Sequence, residues 1–207
     1  MNPEAGRARN RRGEGTRLRD EIVQAAAGIL DDGGSEDAVT LRAVARRIGI
    51  AAPSIYRHFA DRDEILLAVV EEAFAELKDR IEETVAAQAD PEQRLRGICS
   101  AYLDFALERP KRYRVLFGGV WDAARAAENP EMAPAAAKIG QDVFQLLVQA
   151  VQDCADAGVS RSTAPFSDAT TLWAGLHGYA ELRPAAPMFP WADGVPDDLV
   201  RRLALLD

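Results

Sequence analysis

An all-α fold is what these 207 residues predict, and three observations predict it. Apolar residues recur at three- and four-residue spacing along nearly the whole chain. No period-2 run of β-branched residues lasts more than a few positions. Pro91, Pro110, Pro130, Pro134 and Pro165 stand near the starts of periodic stretches, where the missing N–H of a proline is no loss. Apolar residues make up 48% and charged residues 28%, the composition of an ordinary globular chain. A chain of this size buries roughly 70% of its unfolded surface, so it needs no disulfide or metal to hold a core.

The elements follow in order. Leu18, Ile22, Ala25, Ala26, Ile29 and Leu30 form one stripe, stopped by Gly33 and Gly34. Thr40 suits the N-cap of a short helix over 41–48, which Gly49 ends. Pro53 opens another short helix to about Phe59. Asp61 caps a long fourth helix, with Asp63 and Glu64 favouring its dipole and Ile65, Leu66, Val69, Ala73, Leu77 and Ile81 on its stripe. Further helices are expected at about 91–108, 110–117, 119–127, 135–157 and 167–183. A proline-rich loop over 184–196 and a last helix near 197–206 complete the chain. No internal repeat is present.

The formal charge is −8, which at first argues against a partner made of phosphates. The charge is unevenly divided. Residues 1–60 hold ten Arg against eight acids, a net of +2, and the rest carries −10. Six Arg lie in the first 20 residues: Arg7, Arg9, Arg11, Arg12, Arg17 and Arg19. Such asymmetry points to nucleic acid at one end only.

Other classes fall away. No apolar run reaches the ~18 residues of a membrane span, and no signal segment follows the basic start, so a cytoplasmic protein with no membrane partner is expected. Cys99 and Cys154 stand alone and read as reduced core residues. His58 and His177 lie far apart, without metal-ligand spacing. There is no phosphate-binding glycine loop, nucleophile elbow or metal pattern, so no enzyme activity, cofactor or metal is expected.

Residues 40–59 read Thr-Leu-Arg-Ala-Val-Ala-Arg-Arg-Ile-Gly-Ile-Ala-Ala-Pro-Ser-Ile-Tyr-Arg-His-Phe. A helix-turn-helix needs small residues at the crossing, glycine in the turn and apolar residues that lock the pair. Ala45, Gly49, Leu41, Val44, Ile48, Ile50 and Ile55 supply them. Ala52, Pro53, Ser54 and Arg57 then fall on the side that meets base edges, while Tyr56 and His58 suit phosphate oxygens. Phe59 reads as core. For Tyr56 a core ring with its hydroxyl outward is the other reading. Arg46 and Arg47 read as a solvated face.

This stretch, with Ala-Asp-Arg-Asp-Glu-Ile-Leu after it, resembles the DNA-binding domain of the TetR/AcrR family of bacterial regulators, from about Leu18 to Val70. The resemblance implies a homodimer on a near-palindromic double-stranded operator. It implies a flexible Arg-rich arm over 1–15, a three-helix helix-turn-helix domain over 16–62, and a helical effector-binding and dimerisation domain over 63–207. It places the hydroxyl and amide of Thr40, and Tyr56, His58 and Arg62, on phosphates. Arg42 matches a position used in some members for a base, and Ala52, Pro53, Ser54 and Arg57 match the base-facing part of the recognition helix. Ala51 departs from the usual Ser or Thr cap, a local loss of ~1 kcal/mol.

In the body, the segment 139–155 has apolar residues over about 200° of its wheel, more than one core requires. Val143, Leu146, Leu147, Ala150 and Val151, with Leu172, Leu176 and Tyr179 on 167–183, are expected at a dimer interface. A fully internal helix is the alternative. Tyr102, Phe105, Tyr113, Phe117 and Trp121, with Trp173 and His177 four residues apart, are candidates to line a pocket for a small apolar or amphipathic effector. The run Trp-Ala-Gly-Leu-His-Gly resembles the Trp-His-Gly signature of one C-terminal subgroup of the family. Aromatics at helical spacing also fit a plain core. Three readings stay open: an effector-released repressor, a DNA-binding regulator without an effector, and a helical interaction module.

Overall fold

The computed structural model describes residues 14–33, 35–120, 128 and 132–207. The Arg-rich arm up to residue 13 lies outside the described residues, as do Trp121 and nearly all of the helix expected over its segment. Every regular element described is helical, and Ser160 and Leu206 form an isolated antiparallel bridge. Two compact units divide between Val69 and Val70.

The first unit contains α1 (Glu14–Asp31), α2 (Leu41–Arg47) and a 3-10 turn (Ala52–Arg57), and ends within α3 (Arg62–Val85). The Thr40 hydroxyl accepts from the Ala43 amide at 3.1 Å and starts α2, as its sequence predicts. Gly49 takes φ +70°, a left-handed turn that an L side chain resists, and so reverses the chain after α2. The short helix expected from Pro53 is present as a 3-10 helix, Ala52–Arg57. Pro53 lacks an amide, and six residues are few for α propagation, so i→i+3 bonds such as Ser54 N–H to Ala51 O at 2.8 Å take over. Ile55, fully buried, anchors this segment, a burial that contributes about 1.5–3 kcal/mol. Asp61 accepts from the Glu64 amide at 2.9 Å and Glu64 accepts from the Ala60 amide at 2.6 Å, so the start of α3 is clamped in both directions.

In the second unit, α4 (Pro91–Glu108) packs against α5 (Pro110–Phe117), α7 (Gln141–Asp156), α8 (Pro165–Ala185) and α9 (Val195–Leu203), with a single turn, α6 (Ala133–Ala136), before α7. Its core gathers Leu77 and Ile81 of α3, Leu95, Ile98 and Phe105 of α4, and Val151, Leu172 and Leu176. Helix α8 runs on to Ala185, with Pro184 in its last turn, and α9 begins at Val195, so the connecting loop is shorter than expected. At Gly175 a β-carbon would sit 2.7 Å from Leu203 Cδ1, so the side chains of α9 fill the space beside it; at Gly178 it would meet nothing.

The apolar surplus of α7 is used largely inside its own unit. Leu147, Ala150, Val151, Leu172 and Leu176, expected at a dimer interface, are buried in this core, which removes them from the surface open to a second copy. The wide arc on α7 faces two neighbours, α4 and α8, at once. Of that set, Val143, Leu146 and Tyr179 remain half-buried, and the Tyr179 ring stands edge-on to Trp191 with centroids 5.6 Å apart.

Candidate functional site

The reading surface of the first unit is built on the elements just described. Tyr56 is 62% exposed, which leaves its ring outside the core, while Phe59 is buried with the Arg19 guanidinium 5.0 Å from its ring centroid. Thr40, Arg42, Pro53 and Arg57 are exposed, and Ala52, Ser54 and His58 are half-buried. The Thr40 amide is already given to the Ala38 carbonyl at 3.1 Å, so its hydroxyl is the group left for a phosphate. Arg62 is engaged: its Nη1 lies 3.2 Å from Asp37 and its Nε 3.3 Å from Asp63. Sequence reasoning missed Asp37, which lies 25 residues away from its partner. Arg47 pairs with Asp32 at 2.7 Å and lies against Gly28.

The second unit holds a partly open, largely apolar cavity of about 280 Å3. Phe74, Leu77 and Ile81 of α3 form one side, and Ile98, Cys99 and Tyr102 of α4 the next. Phe117, Val143, Phe144, Leu147, Trp173 and Leu176 close it. Aromatic rings stack edge to face along this wall: Phe74 on Phe117 at 5.9 Å and Phe144 on Trp173 at 6.0 Å. A wider, more open pocket of about 650 Å3 adjoins it, with Glu71, Lys78, Asp79, Lys138 and Asp142 in its walls. The two spaces share Phe74, Ile139, Gly140 and Val143.

Polar groups behind the cavity satisfy one another. The Tyr113 hydroxyl lies 2.6 Å from His177 Nδ1 and 2.8 Å from the Tyr102 hydroxyl, which is 3.3 Å from the same nitrogen. Burial pushes the Tyr113 hydroxyl up to about 12 and the Tyr102 hydroxyl further upward. Burial also pushes the Cys99 thiol up to about 12, so it stays protonated and uncharged at the wall. Among the expected pocket residues, Tyr102, Phe117 and Trp173 line the space. Tyr113 and His177 stand behind Tyr102. Phe105 does not line it: it lies one turn beyond Tyr102 along α4 and is fully buried in the core. Val143, Leu147 and Leu176, assigned by their spacing to a dimer face, are cavity wall. Phe74 was missed, since it stands beside the α3 stripe read from the sequence rather than on it.

Comparison with known proteins bears on both units. Residues 22–69 match the bacterial regulatory proteins of the tetR family, and residues 95–205 match the tetracyclin repressor-like C-terminal domain. The HTH-type transcriptional activator FasR of Mycolicibacterium smegmatis is 29% identical over 115 residues, 56% of this chain and 52% of that protein. The chain thus matches about half the length of this curated relative. A structure from Rhodococcus sp. RHA1 superposes with a TM-score of 0.71 at 24% identity, over 99% of this chain and 95% of the other. The transcriptional regulator FadR from Bacillus subtilis, in complex with stearoyl-CoA, superposes with a TM-score of 0.67 at 15% identity, over 89% and 97%. These structural likenesses share the fold.

Proposed function

The chain belongs to the tetR family of bacterial transcription regulators, and from that premise we propose that it is a homodimeric repressor, released from a near-palindromic operator by a small amphipathic effector. The observation that carries this reading is the cavity of about 280 Å3 in the second unit, with a largely apolar wall and no charged side chain in it. One helix, α3, brings Arg62 to the first unit and Phe74, Leu77 and Ile81 to the cavity wall. An effector that favours one position of α3 shifts the spacing of the two readers, and it does so only through its different affinity for the two states. The stearoyl-CoA bound by the Bacillus subtilis neighbour supports an amphipathic ligand.

On the DNA, Arg42, Arg57 and Ser54 read base edges, while Thr40, Tyr56, His58 and Arg62 hold phosphates and set the register. Dimerisation uses the outer strip of α8 around Ala174 and Gly178, beside α7, where no side chain of the protomer intervenes at Gly178. Selection from random DNA tests the reading. It yields an inverted repeat with half-sites about one helical turn apart, ~34–36 Å, bound by two protomers. Enrichment of an asymmetric site bound by one protomer would overturn it. In transcription from that site, added protein lowers transcript. A rise favours activation, the reading that the name of the Mycolicibacterium smegmatis relative supports.

A further inference from the structure

We infer that the inner cavity selects the bare hydrocarbon end of an extended amphiphile, whose polar end stays in the outer pocket. This deepens the effector reading above and rests on it. The first support is the wall chemistry. Cavity-lining heteroatoms belong to few side chains, and each is already engaged or uncharged. The Tyr102 hydroxyl is committed to Tyr113 and His177, and the Trp173 indole N–H donates to the same hydroxyl. The Gln141 side-chain amide donates to the Ala137 carbonyl. The Cys99 thiol is held protonated by burial. No Asp, Glu, Lys or Arg lines this space. A carboxylate or hydroxyl carried into it therefore loses its water and gains no strong partner.

The second support is the shape. Two spaces meet at a collar of Phe74, Ile139, Gly140 and Val143. At Gly140 a β-carbon would lie 2.9 Å from Phe74 Cε1, and φ is +71°, so glycine alone keeps this side of the collar in place. A flexible chain of methylenes can lie along both spaces at once. The third support is the change in chemistry across the collar. Outside it stand Lys78, Lys138, Glu71, Asp79 and Asp142, and inside it stand rings and aliphatic groups. Lys138 forms no ion pair among the described residues. A polar head stays hydrated outside while its tail loses water inside.

The experiment is calorimetric titration of the full chain with two matched pairs of probes. They are decanoic acid against decanedioic acid, and decan-1-ol against decane-1,10-diol. Within each pair only the far end differs. The expected result is that at least one single-headed probe binds and that its double-headed partner binds about ten- to a hundred-fold more weakly. Val143→Phe, which fills the space between the two pockets, abolishes binding of the single-headed probe. Equal binding within the pairs overturns the inference and leaves the effector reading standing. Binding of none of the four overturns both. The comparison within each pair uses the unaltered protein, so it stands even if Val143→Phe folds poorly.

Discussion

At the scale of single residues, the reading surface is partly self-neutralised. Arg62, expected on a phosphate, is held by Asp37 and Asp63 in the free protein. The Asp37 side chain is 85% exposed, so this pair contributes roughly 0–1 kcal/mol and a phosphate displaces it readily. Asp37→Asn should therefore strengthen DNA binding, by up to about five-fold. The gain should be equal for operator and random DNA, because a phosphate contact carries no base information. Fluorescence anisotropy with both DNAs measures this, and a gain confined to the operator would remove Arg62 from the phosphates. Local chemistry of this kind divides in its legibility. Thr40 and Asp61 act on amides three residues away, so their capping roles can be read directly from the sequence. Asp37 and Arg62 meet only because the fold returns the chain to the same place, and nothing near either residue announces it.

At the scale of elements, periodicity identifies helices but does not say which neighbour each face meets. The wide apolar arc of α7 reads in the sequence as one side for its own core and another for a partner. Its two neighbours within the protomer, α4 and α8, and the cavity account for Leu147, Ala150 and Val151. The recognition segment shows a second limit. Pro53 marks its start, but the choice of 3-10 over α depends on its short length and on the burial of Ile55. The glycines of α8 show a third. Both look alike in sequence, yet Gly175 is filled by Leu203 of α9 and Gly178 opens on empty space. That contrast gives a test of the dimer face. Gly178→Arg should leave the helical content unchanged, since its β-carbon meets nothing in the protomer. It should also convert the dimer to monomer in sedimentation velocity, because an arginine cannot pack where two helices approach closely. A dimer that survives this substitution does not use this face of α8.

At the scale of the whole molecule, the acidic charge and the DNA-binding role are reconciled by their location. The −10 belongs to residues after 60, and the +2 to the reader and its arm. An acidic body repels the duplex wherever the reader is not seated, and that raises the ratio of specific to random binding without adding any base contact. In the proposed complex Arg42, Arg57 and Arg62 are the cations that meet phosphates or bases. Two protomers with three such residues each release few counterions. Plotted as log affinity against log salt, operator binding should fall with a slope no steeper than about −5. Binding isotherms at several salt concentrations measure it. A slope steeper than about −8 would mean that further cations are engaged, either exposed Arg46 or the arginines of residues 1–13. Removing residues 1–13 then distinguishes the cases. If the reader alone makes the contacts, the slope stays as it was. If the arm lies along the backbone, each lost arginine contact flattens the slope by about 0.9.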